Sequence, residues 1–284
     1  MPNQKQCYND YSEKTMIEPK LQAELRTRFN PDESPLRRYQ LHLLEMLKDF
    51  DTICATLGVR YWLSSGTVLG AVRHGGFIPW DDDIDVEMLR TDYEKLVASF
   101  KETERYVIQT DNNDPYYPWL FAKFRDKKSS VEEIGQLDRN YKYRGSYIDI
   151  FIMEETHVLT SGMIWQGSRV MFHLSKQVHK SQLIRGVYTF VHICTKSLEW
   201  IIRHTTHHLP GKKFRFGYGN VFYRASRLPE TIFPIGKIEF EGCMFPAPKD
   251  CRAYLSHVYG DYEKIPDTGT IHPHFTIFTS SATK

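Results

Sequence analysis

Two aspartates, Asp83 and Asp85, stand two positions apart in the run WDDDIDV. In a β-strand, residues i and i+2 point to the same face, so two carboxylates at this spacing stand about 7 Å apart at their Cα atoms. Unpaired, they would repel each other and raise each other's pKa. A hard divalent cation removes that cost, and carboxylate oxygens are the ligands that Mg²⁺ and Mn²⁺ prefer. The spacing therefore predicts a metal site on a strand.

A third carboxylate, Asp149, has the same setting later in the chain. Isoleucine or valine residues flank both Asp85 and Asp149. Because alternate residues of a strand face opposite ways, the apolar neighbours predict the core side and the aspartates the open side. If the two strands pair side by side, three carboxylates converge. Such a one-metal or two-metal site can clamp a transferring phosphoryl group.

The residues before the aspartates have the composition of a phosphate-binding turn. A glycine turn that enters a helix N-terminus offers backbone N–H groups and a favourable dipole to a phosphate. We predict that Ser65, Gly66 and Thr67 contact a nucleotide phosphate, with Thr67 either capping the helix or donating to that phosphate. Arg73 is a candidate to neutralise phosphate charge, with a surface position as the alternative. Trp80 is a candidate to stack on a base or a quaternary ammonium, with core packing as the alternative.

Two simpler interpretations of the aspartate run compete with a catalytic metal site. A solvated acidic loop is the first, and the apolar flanks of the aspartates count against it. A calcium-binding EF-hand loop is the second, since Asp81, Asp83 and Asp85 fit its first three ligand positions. Val86 stands where that loop needs glycine, and Asp92 stands where it needs a bidentate glutamate, so we exclude it.

The run GTVLGAVRHGGFIPWDDDIDV resembles the signature of the LicD-type phosphocholine transferase family, which is itself similar to fukutin and fukutin-related protein. Three further segments fit that pattern: LRRYQLHLLEMLKDFDTIC, YIDIF around Asp149, and FEGCMFPAPKDCRAYLSHVYGDYEKIP followed by His272. The resemblance covers roughly Leu36 to Ile152 and Phe233 to His272, and its central motif is the most specific. It implies a nucleotidyltransferase-like fold and an enzyme that moves a phosphorylated alcohol from a CDP-linked donor onto a glycan.

For this chain the resemblance implies transfer of phosphocholine from CDP-choline to a sugar hydroxyl of a cell-surface or lipid-linked glycan, as in lipopolysaccharide or teichoic acid biosynthesis. Asp83, Asp85 and Asp149 would hold Mg²⁺ or Mn²⁺ on the donor diphosphate. One of these carboxylates would accept the hydroxyl proton, and position alone makes Asp149 our candidate. His272 joins the donor-binding set through the family pattern alone. Thr67 replaces the serine of the broader nucleotidyltransferase pattern, and no motif fixes the identity of the donor.

Two alternatives stay open. The first is an enzyme of the same fold that uses CDP-ribitol, CDP-glycerol or an NTP. The second is a glycan-binding or membrane-binding module without chemistry. The three intact aspartates count against the second, because clustered carboxylates are costly to keep without a function.

The elements that position these residues follow from periodicity. Ser34 and Pro35 predict a helix start, and apolar residues at three- and four-residue spacing continue that helix to Gly58. Strands are predicted at 59–63, 84–88, 106–109, 120–124, 129–134 and 146–153, a hairpin at 238–245 and helices at 67–74, 91–100 and 250–258. Lys123 and Arg125 alternate on one strand, where we expect a solvated face, with contact to phosphate as the alternative. The predicted fold class is α/β (α+β), a nucleotidyltransferase-like mixed sheet flanked by helices with a helical basic insertion.

Four regions follow from this pattern. Residues 1–33 form a polar N-terminal lead-in, and residues 34–158 form the nucleotidyltransferase-like catalytic core. Residues 159–230 form a basic, mainly helical insertion, and residues 231–284 complete the catalytic domain.

Composition places these regions in a globular protein. The 284 residues are 41% hydrophobic and 14% aromatic, which is enough for a packed core. No apolar run is long enough to span a bilayer, and the polar N-terminus lacks the apolar core of a signal peptide. The five cysteines are widely spaced without a CxxC pair, which predicts reduced thiols. We expect a cytoplasmic protein that can contact the inner face of the cell membrane peripherally.

Charge is uneven along the chain. Residues 160–227 contain eleven Lys or Arg and one acid, a net charge of +10, while the rest of the chain carries −8. The segment shows no recognised nucleic-acid-binding module, so we expect no nucleic acid partner. A solvated helical face is one interpretation. We favour an amphipathic surface that contacts anionic lipid or holds an anionic acceptor.

Overall fold

Helices and strands alternate in the order that the sequence predicts for a mixed α/β protein. The computed structural model describes residues 17–133, 138–206, 210–222, 224–267 and 275–280. The helices in this part of the chain are α1 (Pro19–Phe29), α2 (Pro35–Leu57), α3 (Ser65–His74), α4 (Arg90–Ser99), α5 (Val158–Ser175), α6 (Gln182–Thr205), α7 (Pro229–Ile232) and α8 (Cys251–Tyr259). The strands are β1 (Trp62–Leu63), β2 (Asp85–Leu89), β3 (Tyr106–Gln109), β4 (Ala122–Asp126), β5 (Ser129–Glu133), β6 (Tyr147–Thr156), β7 (Lys213–Phe216), β8 (Gly236–Phe240), β9 (Cys243–Ala247) and β10 (Phe275–Ser280).

The central sheet has the strand order β1–β2–β6–β4–β3, and β7 pairs with the second half of β6. Strands β2 and β6 are parallel, and the other neighbours in this sheet are antiparallel. A parallel pair needs a long crossover, which the chain from α4 to β5 supplies. Two small antiparallel sheets, β5 with β10 and β8 with β9, complete the strand pairing. The predicted mixed sheet is therefore confirmed.

Helix α2 covers one face of this sheet, as its apolar periodicity predicts. The Ser34 hydroxyl accepts a hydrogen bond from the backbone N–H of Arg37 at the start of the helix, and Gly58 ends it with φ of 61°. Phe50 is fully buried, and its ring lies 5.3 Å from the ring of Phe124 on β4. Burying a side chain of this size stabilises the fold by about 1.5–3 kcal/mol.

The alternation along β2 and β6 fixes which side chains enter the core. Ile84, Val86, Ile148 and Ile150 are fully buried. Because neighbouring residues of a strand face opposite ways, Asp85 and the aspartate at position 149 must lie on the other face of the sheet. The apolar frame therefore orients the two carboxylates in the way that the sequence predicts.

Two element boundaries differ from the prediction for local reasons. Strand β1 is shorter than predicted, because the N–H of Val59 bonds to the carbonyl of Cys54 and closes the end of α2. Helix α3 begins two residues earlier than predicted, because the carbonyl of Ser64 already accepts from the N–H of Val68. The other predicted strands, the hairpin and the helix near 250–258 are all present, and their ends differ from the prediction by at most three residues.

The basic segment is helical at first and then joins the central sheet. Helices α5 and α6 pack closely, since a Cβ atom on Gly167 would lie only 2.3 Å from Thr195 Oγ1. Strand β7 follows and extends the sheet beside β6. The segment is therefore more than a helical insertion, and the predicted domain boundaries stay a prediction. Among the described residues, no helix is long and apolar enough to cross a membrane.

Candidate active site

A row of three charged side chains crosses the central sheet. The parallel register of β2 and β6 pairs Asp85 with Asp149, and the antiparallel register of β4 and β6 pairs Lys123 with Asp149. The two aspartate strands therefore lie side by side, which is the condition under which the sequence predicts converging carboxylates. Lys123 Nζ lies 2.7 Å from Asp149 Oδ1, so the third charge in the row is positive.

The acidic side of this row carries strong electrostatic repulsion. Burial raises the pKa of the Asp85 carboxyl well above its usual range, and the charges of Asp83, Asp149 and Asp81 raise it further. Lys123 opposes this effect by favouring the ionised form. Desolvated carboxylates that gather in this way are stabilised by positive charge, from a protein cation or from a metal ion.

The donor types fit a hard divalent cation, but their present orientation does not close a metal site. Within the ranges that the structure describes, no three carboxylate, imidazole or thiol side chains converge closely enough to hold a metal. Asp149 Oδ1 contacts the ammonium of Lys123 instead. A metal held by Asp83, Asp85 and Asp149 therefore requires Asp149 to use its other oxygen or to turn toward β2. Metal binding by these three residues stays a prediction.

The start of α3 is tied directly to the start of β2. The backbone N–H of Asp85 donates to Thr67 Oγ1 at 2.9 Å, and the N–H of Ser64 donates to the carbonyl of Asp85 at 3.0 Å. Thr67 thus links the predicted phosphate turn to the predicted metal strand. Ser65 has φ of 47°, a left-handed conformation that costs a residue with a side chain about 1–2 kcal/mol. Its N–H donates to the hydroxyl of Tyr254 at 3.4 Å, which holds the turn in place.

Gly66 brings the turn against the carboxylate of Asp81. A Cβ atom on Gly66 would lie 3.0 Å from Asp81 Oδ2, which is tighter than most contacts of this kind. A carboxylate near the first turn of a helix is stabilised by the helix dipole. Asp81 therefore already supplies negative charge at the place where we predict the donor phosphates. A bound metal ion would let the phosphates and this carboxylate share the space.

Arg73 and Trp80 lie against other parts of the protein. The Arg73 guanidinium is buried and donates to the carbonyls of Tyr262 at 2.9 Å and Lys264 at 3.3 Å. It fastens the segment after α8 to α3, and its phosphate contact stays a prediction. The ring of Trp80 meets the ring of Phe29 edge to face at 5.2 Å, so it packs on α1. The predicted role of His272 falls outside the described residues.

Lys123 and Arg125 correct one expectation, since both are buried rather than part of a solvated face. Lys123 Nζ lies 3.4 Å from the centre of the Tyr147 ring, and Arg125 donates to Gln109 Oε1 and to the carbonyl of Gly145, both at 2.7 Å. Burial follows because β4 is an inner strand between β3 and β6. The alternation of charges is visible in the sequence, but the position of β4 in the sheet determines that these side chains are buried.

A buried network behind the aspartates is a second feature that sequence patterns did not reveal. Glu87 follows Asp85 on the same face of β2 and is fully buried. It accepts from Trp62 Nε1 at 2.8 Å, lies 3.0 Å from an Arg227 nitrogen and bonds to the Tyr254 hydroxyl at 3.2 Å. The i+2 spacing after Asp85 is the one local signal for Glu87. Its partners come from distant segments and leave no local signal.

Tyr259, at the end of α8, belongs to the surroundings of the aspartate cluster. Burial raises the pKa of its phenol, and the charges of Asp85, Asp81 and Asp83 raise it further. Part of the side chain remains exposed to solvent. An aromatic ring beside a carboxylate cluster can contact a base or a quaternary ammonium. The sequence predicts Trp80 for that contact instead.

The chain matches a known family over the region that contains this site. Residues 58–183 match the family model described as the LicD/FKTN/FKRP nucleotidyltransferase domain. This region is a LicD-type nucleotidyltransferase domain. It includes the phosphate turn, the three aspartates and Lys123, whereas Arg227 and Tyr254 lie beyond its end.

Known proteins with similar sequences include a cholinephosphotransferase and two ribitol 5-phosphate transferases. Lipopolysaccharide cholinephosphotransferase LicD of Haemophilus influenzae is 28% identical over 262 residues, which cover 84% of this chain and 95% of that protein. Human ribitol 5-phosphate transferase FKRP is 66% identical over 29 residues, which cover 10% of this chain and 6% of that protein. Mouse ribitol-5-phosphate transferase FKTN is 45% identical over 47 residues, or 16% of this chain and 10% of that protein.

These similarities confirm the predicted LicD family and the nucleotidyltransferase-like fold. They also confirm an enzyme of the phosphotransferase class, since the named relatives transfer cholinephosphate or ribitol 5-phosphate. The two named alcohols differ, so the donor of this chain is a separate question.

Proposed function

We propose that this protein is a metal-dependent phosphotransferase that moves phosphocholine from CDP-choline onto a sugar hydroxyl of a cell-surface or lipid-linked glycan. The side-by-side register of Asp85 and Asp149 within a LicD-type domain carries the proposal. The relative that is similar over nearly all of its own length is named a lipopolysaccharide cholinephosphotransferase, which supports choline and a glycan as substrates.

In this mechanism the sugar hydroxyl oxygen attacks the phosphorus that bears choline, in line with the bond to CMP. The bond between that phosphorus and the bridging oxygen breaks, and CMP leaves with the electron pair. The hydroxyl proton passes to Asp149. Mg²⁺ or Mn²⁺ held by Asp83, Asp85 and Asp149 would neutralise charge on the diphosphate. Lys123 adds a fixed positive charge beside the same carboxylates.

The turn at α3 binds and orients the donor in this proposal. Gly66 and Thr67 offer backbone N–H groups at the helix N-terminus. The N–H of Ser65 donates to the Tyr254 hydroxyl, which holds this residue in its left-handed conformation. Arg73 keeps the C-terminal segment against α3 through two carbonyl groups. The turn and the carboxylates then keep a constant separation, because Thr67 bonds to the N–H of Asp85.

One observation supports CDP-ribitol as an alternative donor. The short segment shared with human FKRP is more similar than the longer match to LicD, at 66% against 28% identity. That segment covers a tenth of this chain, so it supports the shared chemistry more than the choice of alcohol. CDP-choline therefore remains the preferred donor.

A thermal-shift panel tests the choice of donor. The purified protein is heated with CDP-choline, CDP-ribitol, CDP-glycerol, CTP or ATP, each with and without Mg²⁺ or Mn²⁺. At about 100 times its Kd, the true donor stabilises the protein by about 2.7 kcal/mol, which raises Tm by roughly 4–8 °C for a chain of this size. We expect this rise for CDP-choline and only with metal.

A matched pair of variants shows whether the rise comes from the proposed site. Asp83→Asn should abolish it, whereas Asp32→Asn, in the exposed loop between α1 and α2, should retain it. A larger rise with CDP-ribitol would replace phosphocholine by phosphoribitol in the proposal. No rise with any nucleotide would favour a binding module without chemistry.

A further inference from the structure

Helix α6 has apolar side chains on two sides, and Tyr188 and Ile202 on one of them are buried against the protein body. Its polar stripe faces the protein body: Lys196 Nζ lies 2.7 Å and His192 Nε2 lies 3.1 Å from Asp111 Oδ2. On the same stripe, Arg203 pairs with Glu154 of β6 and with Glu199. A surface helix that buries one apolar side normally presents charged side chains to water on its other side.

The opposite side of α6 is apolar and exposed. Leu183 and Phe190 are 77% and 67% exposed, and Val187 and Ile201 share their stripe. At 3.6 residues per turn, this stripe lies on the other side of the helix from His192, Lys196 and Arg203. Trp200 and Ile193 extend it along one edge, again with large exposed surfaces.

Helix α5 repeats the pattern beside it. Leu159, Met163 and Val170 form an exposed stripe, while Ile164 and Met171 on the other side are fully buried. The close approach of Gly167 to Thr195 fixes the two helices together. Exposed apolar side chains at this density mark an interaction surface rather than scattered surface residues.

Charge identifies the kind of partner that this surface fits. The exposed basic side chains of the segment are Arg169, Lys180, Arg185, Lys213 and Arg224. The one acid of residues 160–227, Glu199, is paired with Arg203. Arg169 lies on α5, Arg185 on α6 and Lys180 between the two helices, whereas Lys213 lies on β7 and Arg224 follows that strand. Among the described residues, α5 and α6 thus combine exposed apolar side chains with positive charge and carry no exposed acid.

We propose that the outer face of α5 and α6 docks on a lipid bilayer that contains anionic headgroups. Apolar side chains enter the headgroup boundary, and the flanking Lys and Arg residues contact the lipid phosphates. A second copy of this chain fits less well, because it would bring the same excess of positive charge against the first. Arg203 of α6 pairs with Glu154 of the β6 strand that also carries Asp149, so the catalytic domain would work at the membrane surface.

Vesicle flotation without any substrate tests this proposal. The purified protein is mixed with vesicles of phosphatidylcholine alone or of phosphatidylcholine with phosphatidylglycerol. We expect binding at least about tenfold stronger to the anionic vesicles, and a loss of binding at high salt because the lipid charge is screened. Equal recovery in the floating fraction with and without vesicles would overturn the proposal.

Variants separate the contributions of apolar and basic side chains to vesicle binding. The double variant Phe190→Glu with Ile193→Glu should lose flotation, and Arg169→Glu with Lys180→Glu should weaken it by at least about tenfold. Leu41→Glu is the matched control, because this leucine of α2 is also exposed but lies outside the surface. Each variant must keep the wild-type far-ultraviolet spectrum and unfolding midpoint. Flotation of the Phe190→Glu with Ile193→Glu variant at the wild-type level would contradict the docking surface.

Two further results distinguish membrane docking from dimerisation and from the proposed transferase function. A dimer that dissociates in the Phe190→Glu variant, measured by light scattering, would assign the surface to a second copy instead. The Asp83→Asn variant should float like the wild-type protein, because docking does not use the carboxylates. Failure of the transferase proposal would therefore leave this result unchanged.

Discussion

At the scale of single residues, the central feature is the row of Lys123, Asp149 and Asp85 across three neighbouring strands. Both aspartates are predictable, because isoleucine and valine neighbours determine which way each carboxylate points. Lys123 is not predictable in the same way. Its contact with Asp149 depends on the register of β4 against β6, which no local pattern encodes.

Replacing Lys123 tests whether its charge takes part in transfer. Lys123→Met keeps an unbranched apolar stem and removes the ammonium. We expect kcat for CMP release from CDP-choline to fall by roughly 10²- to 10³-fold, because a preorganised charge near the transferring phosphate is lost. Lys123→Arg should recover part of the rate.

Lys128→Met is the control for this experiment. Lys128 is a neighbouring lysine whose ion pair with Glu104 lies at the surface, so its loss should leave kcat unchanged. A wild-type rate in Lys123→Met, with an unchanged unfolding midpoint, would show that Lys123 only neutralises Asp149.

At the scale of elements, the phosphate turn depends on α8 and on the stretch before α7. Tyr254 of α8 contacts Ser65, and Arg227 contacts Glu87 on β2. Each of these side chains comes from a separate part of the chain. Helix α8 itself is predictable from its N-cap Asp250 and its periodicity. Its docking against the turn is not, because tertiary contacts alone determine it.

Tyr254→Phe tests this support. The variant removes a hydroxyl that bonds to Glu87 and holds the N–H of Ser65, so we expect a loss of about 1–3 kcal/mol in unfolding free energy. It should also raise KM for the donor, because the turn loses its support. Urea denaturation and steady-state kinetics measure the two effects.

Tyr188→Phe provides the comparison. Its hydroxyl bonds to the carbonyl of Tyr117 in a buried contact between α6 and the catalytic domain. Stability should fall without a change in KM for the donor. Equal KM values in both variants would restrict Tyr254 to a structural role.

At the scale of the whole molecule, sequence patterns predict individual helices and strands better than the long-range contacts between them. The helix before β1, the two strands that carry the aspartates and the β8–β9 hairpin all follow from local periodicity and turn residues. Strand β7 does not, because the basic composition around Lys213 resembles that of the preceding helices. Pairing with β6 gives this short strand its structure, and that pairing is a long-range contact.

Buried carboxylates with ionic partners make the molecule sensitive to acid. Burial acts to raise the pKa of Asp111, Asp126, Glu154 and Glu241, but hydrogen bonds and charges from Arg, Lys and His partners lower each pKa below its usual value. The folded state therefore binds fewer protons than the unfolded state near the usual carboxyl pKa of about 4. This stability is present above that pH and is lost as pH falls through the folded pKa values. The pKa of Asp85 is raised instead, so this residue makes the unfolding free energy fall less steeply as pH decreases.

Denaturant unfolding between pH 7 and pH 3 measures this dependence. We expect the unfolding free energy to decrease steadily below about pH 4.5. Glu154→Gln should be less stable at pH 7 and should lose less on acidification, because one linked carboxylate is absent. A pH-independent free energy would show that these ion pairs do not stabilise the fold.

The central claim is that the carboxylates of β2 and β6 serve catalysis at the expense of stability. Asp85→Asn tests it most directly, through metal-dependent CMP release from CDP-choline together with the unfolding midpoint. The amide keeps the size of Asp85 but removes its repulsion with Asp83 and Asp149. We predict an unfolding midpoint without metal that is equal to or above wild type, and a rate at least about 10³-fold lower. A variant that retains the wild-type rate with Mg²⁺ present would contradict the account.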